Sequence, residues 1–405
     1  MSEVSEQFLP TIKHNPGIFI FKWPNGIEVT VSRMRSDHGD VYGEVVFRSN
    51  DKHLHQTKLN FLAARYPTEI ANFMERNSGG EFWVTLLKQL AFHVLRIYRE
   101  GDPVVRLSSS SGLEKVEYLL YPILPLGHPT VIFGEGGVGK STLALLMSLM
   151  VDLALDVEAL GGITPSKRVN GLYLDYETNE RDIAWKLRGL SKGLNLPETT
   201  LLYRRSALPL TEDAPRLHEI ILERDIGFLV IDSAGVACGG DLNSAEPVNN
   251  MFATLRQMGI TSLVLAHTSK EERRVKTPYG SVFFMYQPRS VWELRRVQDI
   301  SKGEMNLALV HRKANVSALC DPLALNLKFQ DNSIMVTSLD INEMPEMSSF
   351  LPLEERMTNA LSNGLMTEQE LANELDITMG EVSGIMRRLL AQGRVRKFTL
   401  GWGLA

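Results

Sequence analysis

The residues with the clearest chemistry are Gly134-Glu135-Gly136-Gly137-Val138-Gly139-Lys140-Ser141-Thr142. They follow the apolar, strand-like run Thr130-Val131-Ile132-Phe133 and open a helical stretch from Thr142 onward. That is the spacing G-x-x-x-x-G-K-[ST] in a strand–loop–helix setting. Glycines let a backbone curl around phosphate oxygens and offer N–H groups with no Cβ in the way. A helix N-terminus places partial positive charge beneath them. Lys140 is spaced to reach β/γ-phosphates and the Ser141 hydroxyl to take a Mg²⁺ position. The expected cradle is Gly134, Gly136, Gly137, Val138, Gly139, Lys140, Ser141 and Thr142, and the expected ligands are ATP and Mg²⁺.

Hydrolysis also needs carboxylates, to hold the Mg²⁺ shell and to orient a water. Asp232 ends the apolar run Phe228-Leu229-Val230-Ile231 and fits the first task, together with Ser141. Asp175 and Glu177 sit at alternate positions at the end of an earlier strand-like run, so they share a face. Either could polarise the water, and the residues alone leave that choice open.

These groups need an open sheet to position them. The stretches 171–175, 228–232 and 262–266 are short apolar runs that end beside polar residues, separated by helical patterns. Such alternation indicates a mostly parallel α/β sheet, with ligands at the carboxyl ends of the strands. On this reading the ATPase domain spans 117–341.

Ahead of it, 1–107 reads as an α+β module. Runs at 18–23 and 27–31 flank Pro24-Asn25-Gly26, a hairpin signal, and a third strand is expected over 41–47. Helices are expected over 59–76 and 81–98. His53 and His55 are read as ordinary surface residues. A polar linker is expected over 108–116 and a Pro-containing one over 342–352. The last segment, 353–405, holds a helix over 353–361, capping boxes at Thr367-x-x-Glu370 and Thr378-x-x-Glu381, and a strand over 393–400. Helix, turn, helix and strand outline a winged helix.

The motifs together resemble those of the RecA-like ATPases. Beyond the phosphate loop these are Leu174-Asp175-Tyr176-Glu177, Val230-Ile231-Asp232-Ser233 and Leu265-Ala266-His267-Thr268-Ser269-Lys270. The set is most similar to the plasmid and phage RepA-type hexameric replicative helicases, over about 119–340. The resemblance implies a RecA-like P-loop NTPase core in which Glu177 is the catalytic base and His267 senses the γ-phosphate. Gly280-Ser281 with Arg289-Ser290-Val291-Trp292-Glu293-Leu294 resembles the family's arginine-finger motif, with Pro288 where a small residue is usual. It implies that Arg289 acts on a neighbouring subunit's ATP. Arg312-Lys313-Ala314-Asn315 is similar to the family's K-x-N and implies Lys313, with or without Arg312, as a second trans-acting cation. The resemblance further implies a hexameric ring around single-stranded DNA, faced by loop 234–247 and by a loop with Lys270, Arg273, Arg274 and Lys276.

The net charge of −5 over 405 residues excludes a globally basic nucleic-acid coat, though not local basic patches. Cys238 and Cys320 make no disulfide framework, so a reducing cytoplasm is expected. Met1 to Pro10 has acidic residues and no apolar core, so no signal peptide is expected there. The apolar stretch 143–160 is broken by Asp152, Asp156 and Glu158, so no membrane span is expected. In the winged helix, Arg387, Arg388, Arg394, Arg396 and Lys397 suit DNA-backbone contact, and a protein-docking role stays open beside it. The leading reading is a ring-forming, DNA-directed ATPase, a helicase or translocase of mobile-element type, with replication or recombination proteins as possible partners. The alternatives are an ATP-dependent switch and a recombination mediator or loader without unwinding activity.

Overall fold

The computed structural model describes residues 8–15, 18–50, 52–80, 82–100, 104, 106, 108, 116–268, 277–299, 303–340 and 351–405. The chain divides into two compact units, one of 1–115, 209–225 and 253–259, the other of 116–208, 226–252 and 260–405.

In the first unit, β1 (Thr11–Asn15), β2 (Ile18–Lys22), β3 (Ile27–Asp37), β4 (Asp40–Ser49) and β5 (Lys52–Asn60) form an antiparallel meander in sequence order. Gly26, at φ +82°, turns β2 into β3, where the Asn-Gly signal places a hairpin. Helices α1 (Tyr66–Ser78) and α2 (Trp83–Glu100) follow. Val29, Val31, Val45 and Phe47 of the sheet join Trp83, Leu86, Leu87, Leu90 and Val94 of α2 in one buried cluster. The expected helix over 59–76 is corrected at its start. Residues Lys52–Asn60 are a strand, and helix begins only at Tyr66, with Pro67 in its first turn. Among the described residues β5 pairs only with β4, and most of it is polar and partly exposed, a pattern with little apolar alternation to read. His53 and His55 lie on it. His55 packs on Phe73 with ring centroids 4.6 Å apart, and burial, then His53, lowers its pKa.

The second unit carries the nine-stranded sheet. Its strands are β8 (Pro129–Gly134), β10 (Asn170–Asp175), β11 (Leu202–Arg205), β12 (Ile226–Asp232), β13 (Thr261–His267), β14 (Ser290–Asp299), β15 (Glu304–Ala314), β16 (Leu323–Gln330) and β17 (Ser333–Leu339). β6 (Tyr118–Tyr121), β7 (Leu124–Pro125) and β9 (Thr164–Pro165) make a small separate sheet. The large sheet runs β11-β10-β12-β13-β8-β14-β15-β16-β17. All pairings from β11 to β14 are parallel, and those from β14 to β17 antiparallel. This mixed α/β sheet is the architecture expected of a RecA-like P-loop core.

Helix α3 (Lys140–Leu153) follows β8 and is buried over most of its length. It is apolar on nearly all sides, as a helix enclosed by its own domain must be. Leu145, Leu149 and Met150 share a core with Ile132, Tyr173, Val230, Leu263 and Leu265. Between these strands in sequence, the second unit holds α4 (Glu180–Gly193), α6 (Ala234–Ala237), α8 (Phe283–Tyr286) and the first part of α7 (Ala245–Met258), whereas α5 (Leu210–Glu223) and the end of α7 are counted with the first unit.

At the C-terminal end are α9 (Leu353–Ser362), α10 (Glu368–Leu375), α11 (Met379–Ala391) and the hairpin β18 (Val395–Phe398) and β19 (Gly401–Leu404). Both capping boxes form: Thr367 and Glu370 bond reciprocally at the start of α10, and Thr378 and Glu381 at the start of α11. Met357, Leu371, Val382, Met386, Leu389 and Trp402 make this segment's own core. The linkers expected over 108–116 and 342–352 lie outside the described residues, save 108, 116, 351 and 352. Among the described residues no helix is long and apolar enough to cross a membrane. Cys238 and Cys320 are free thiols.

Candidate active site

The loop Gly134 to Gly139 joins the carboxyl end of β8 to the first turn of α3. Gly137 and Gly139 take φ of +69° and +95°, a region costly for residues with a Cβ. Gly136 has open space around it, while Val138 turns into the core and Thr142 is buried in the first helical turn. Lys140 is buried, and its Nζ donates to the carbonyl oxygens of Gly134 and Glu135 at 2.9 and 2.8 Å. Burial lowers its pKa, and Asp232 and Glu177 partly offset this by favouring the cation.

Strands β10, β12 and β13 end beside this loop. Asp232, the last residue of β12, is buried and accepts a hydrogen bond from the Tyr173 hydroxyl at 2.6 Å. Burial raises the pKa of Asp232; the nearby Ser141 hydroxyl and the Tyr173 hydroxyl oppose this, and Glu177 and Asp175 add to it. A cation beside the carboxylate would relieve that penalty. Ser141 and Asp232, expected to serve Mg²⁺, are therefore adjacent and present oxygen donors only, the ligand type a hard cation takes. Among the described residues no cluster of three His, Cys, Asp or Glu could hold a metal by itself. The pair instead suits an ion completed by phosphate oxygens and water.

Geometry separates the two candidate carboxylates. Asp175 is fully buried and saturated with donors. Its Oδ1 accepts from the backbone of Glu177 and Thr178 at 3.0 and 2.8 Å. Its Oδ2 accepts from the hydroxyls of Thr178 and Tyr203 at 2.8 and 3.0 Å. Burial acts to raise its pKa, but those bonds carry it below the usual value. Asp175 thus shapes the turn that carries Glu177. The Glu177 side chain is 41% exposed. It accepts a hydrogen bond from the Ser233 hydroxyl and lies 3.3 Å from His267 Nε2. His267 ends β13, directly opposite Gly134 in the sheet. Lys140, Ser141, Glu177, Asp232 and His267 thus converge on the loop.

Arg289 and Lys313 do not. The register sets Ser290 against Thr130 and Leu294 against Gly134, so Arg289 stands at the amino end of β8. Its backbone N–H bonds to Pro129. Five strand residues separate that level from the loop, about 17 Å along the sheet. Lys313 is at the same end, its Nζ donating to the carbonyls of Tyr286 and Pro288 at 2.7 and 2.8 Å. Lys313 thus holds the segment that presents Arg289. Burial, then Arg289, lowers the pKa of Lys313, and the same two causes act on His128. Arg289 is exposed, and no ion pair forms on it among the described residues. Arg312 is different: with Arg295 it clamps the buried carboxylate of Glu293.

Reading the sequence missed Tyr173, Ser233 and Arg296. Tyr173 carried a signal, since a phenol inside a buried aliphatic strand needs a partner for its hydroxyl. Arg296 donates to the Gly137 carbonyl at 2.7 Å, a contact set by the pairing of β14 with β8 and invisible along the chain. The segment 234–247, expected as a loop, contains α6 and the start of α7, and Leu242 O accepts from Ser281 N at 2.6 Å. Lys270, Arg273, Arg274 and Lys276 lie outside the described residues.

Residues 98–273 match the family model described as AAA domain. The match takes in the phosphate loop, Glu177, Asp232 and His267, and ends before Arg289 and Lys313. Among solved structures, the chain is similar to a KaiC-like protein from the hyperthermophilic archaeon Pyrococcus horikoshii OT3. That similarity has 16% identity and a TM-score of 0.38, covering 58% of this chain and 99% of the other. No curated protein matches the chain.

Proposed function

We propose that the chain is an ATP-hydrolysing RecA-like motor that assembles into a hexameric ring and acts on single-stranded DNA as a replicative helicase or translocase. The observation that carries this reading is a division. The loop, the carboxylates and His267 gather at one end of the parallel strands, while Arg289, exposed and without an ion pair among the described residues, stands with Lys313 at the other. A site split in this way is completed by a second copy of the chain, which ties turnover to movement between neighbours.

Each residue then has a task. Lys140 binds the β/γ-phosphate oxygens. Ser141 and Asp232 hold Mg²⁺, which when bound neutralises charge on those oxygens. Glu177, held by Ser233 and His267, takes a proton from water as the water oxygen bonds to the γ-phosphorus and the bond to the leaving ADP oxygen breaks. His267 contacts the γ-phosphate and reports its loss through β13. Arg289 and Lys313 of the neighbouring subunit offset negative charge in the transition state. The division into a module over 1–107, an ATPase domain over 117–341 and a winged helix over 353–405, with linkers between, belongs to this proposal. So does a cytoplasmic location.

The test is ATP turnover with and without single-stranded DNA, with a mass measurement in ATP. Stimulation together with strand displacement and a closed ring supports the proposal. Stimulation without displacement favours a loader or mediator. No response to any nucleic acid favours an ATP-dependent switch.

A further inference from the structure

The C-terminal hairpin carries a surface that its own fold does not use. Strands β18 and β19 pair Arg396 with Gly403 and Phe398 with Gly401, so Arg396 and Phe398 share one face. The opposite face holds Val395 and Trp402, which are buried in the segment's core. On the outer face the Phe398 ring lies across bare glycine backbone. A Cβ on Gly403 would stand 3.0 Å from that ring and 2.6 Å from the Leu365 side chain. Gly403 is consequently covered, while Phe398 and Leu365 stay 46% and 47% exposed. At the turn, Leu400 is 78% exposed. Together these make a flat apolar shelf with an aromatic ring on it, supported from beneath.

The segment that builds the hairpin carries positive charge only, while Glu368 of α10 accepts from the Trp402 indole on the hairpin's other face. From Arg387 to Ala405 the side chains include Arg387, Arg388, Arg394, Arg396 and Lys397 and no Asp or Glu. Arg388 pairs with Glu354, and Arg394 lies near Glu355. Arg387 and Arg396 form no ion pair among the described residues, and Lys397 lies on the opposite face over the Trp402 ring. Arg396 and Phe398 are two residues apart on a strand, hence about 7 Å, close to the spacing of successive nucleotides in an extended strand. A guanidinium suits a phosphate, and a supported ring suits a base face.

We infer that the outer face of this hairpin is a binding site for single-stranded nucleic acid, with one base stacked on Phe398 and the adjacent phosphate on Arg396. The inference deepens the DNA reading above but does not depend on ATP turnover, so the two can fail separately. Stacking on a ring and a phosphate contact do not read base edges, which makes such a site tolerant of sequence.

The experiment uses the full chain without nucleotide, titrated with fluorescein-labelled oligothymidylate and, separately, oligouridylate. Phe398→Leu keeps the apolar cover over Gly403 and loses the π-face; it should weaken binding about tenfold. Arg396→Gln should weaken binding and make the log–log salt dependence shallower by about 0.7. Phe398→Trp should bind normally and add an indole emission that the oligonucleotide quenches. Comparing the two oligonucleotides tells DNA from RNA. Wild-type affinity in both weakening variants, with an indole that does not respond, overturns the inference. It is equally overturned if Phe398→Leu leaves binding intact but changes the mass of the assembly, which would make the shelf a contact between protein chains.

Discussion

Glu177 Oε1 lies 3.3 Å from His267 Nε2, joining the turn after β10 to the last residue of β13 across the mouth of the phosphate loop. Asp175, only two residues before Glu177, is instead consumed by four hydrogen bonds from its own surroundings. The two carboxylates should therefore fail in different ways. Glu177→Gln should bind ATP at near wild-type affinity and lose turnover by about 10²–10⁴-fold, the range for removal of a general base. Asp175→Asn should chiefly lower stability, because Tyr203, Thr178 and the Glu177 backbone lose a charged acceptor. Nucleotide-binding titrations, single-turnover rates and urea melts on both variants separate these outcomes. Normal turnover in Glu177→Gln would remove the assignment.

Tyr173 reaches Asp232 from inside the sheet, with its hydroxyl 2.6 Å from Oδ2. Its hydroxyl acts on Asp232 and lies near Ser141, the two groups expected to serve Mg²⁺, so its effect should run through the metal position. Tyr173→Phe should raise the Mg²⁺ concentration needed for half-maximal turnover about tenfold, as loss of an outer partner of a metal-holding group does. Turnover at saturating Mg²⁺ should be largely restored. A Mg²⁺ titration at fixed ATP checks this, and an unshifted midpoint would separate Tyr173 from the metal position.

His311 gives the fold a pH dependence. It is buried against Trp292, with ring centroids 4.0 Å apart, and takes a hydrogen bond from the Cys320 backbone N–H at 3.1 Å. Burial pushes its pKa down to about 4. The unfolded chain therefore binds the proton more tightly, and stability falls as pH drops from about 6.5 toward about 4. The loss should reach roughly 2–3 kcal/mol, reduced where solvent screens the ring. Above about pH 6.5 this contribution is complete. His311→Asn should be less stable near neutrality and show a flatter profile across that window, read from urea midpoints. A profile as steep as wild type would place the acid sensitivity elsewhere.

The phosphate loop was legible because its chemistry is local: consecutive residues make the cradle, and a strand and a helix must flank it. The buried strands β10, β12 and β13 were legible for a related reason, as each is a short continuous apolar run. What failed to show depended on pairing between distant segments. β5 reads poorly because an edge strand with a polar face has little apolar pattern. Asp175 and Glu177 look interchangeable along the chain, and only the bonds from Thr178 and Tyr203 set them apart. Arg296 reaches the loop through the register of β14 on β8, and Arg312 is withdrawn by Glu293 through the pairing of β14 with β15.

The claim at the centre is that one copy supplies the loop and its neighbour supplies Arg289. Mixing Lys140→Ala and Arg289→Ala chains tests it most directly. Each variant alone should be nearly inactive, the second by about 10³-fold or more, as for loss of an arginine finger. In mixed assemblies about a quarter of the interfaces join an intact loop to an intact Arg289, given random pairing in a closed ring. ATP turnover should then recover to a comparable fraction of wild type. A mixture that stays inactive, although its mass shows that the two chains have assembled together, would contradict the account.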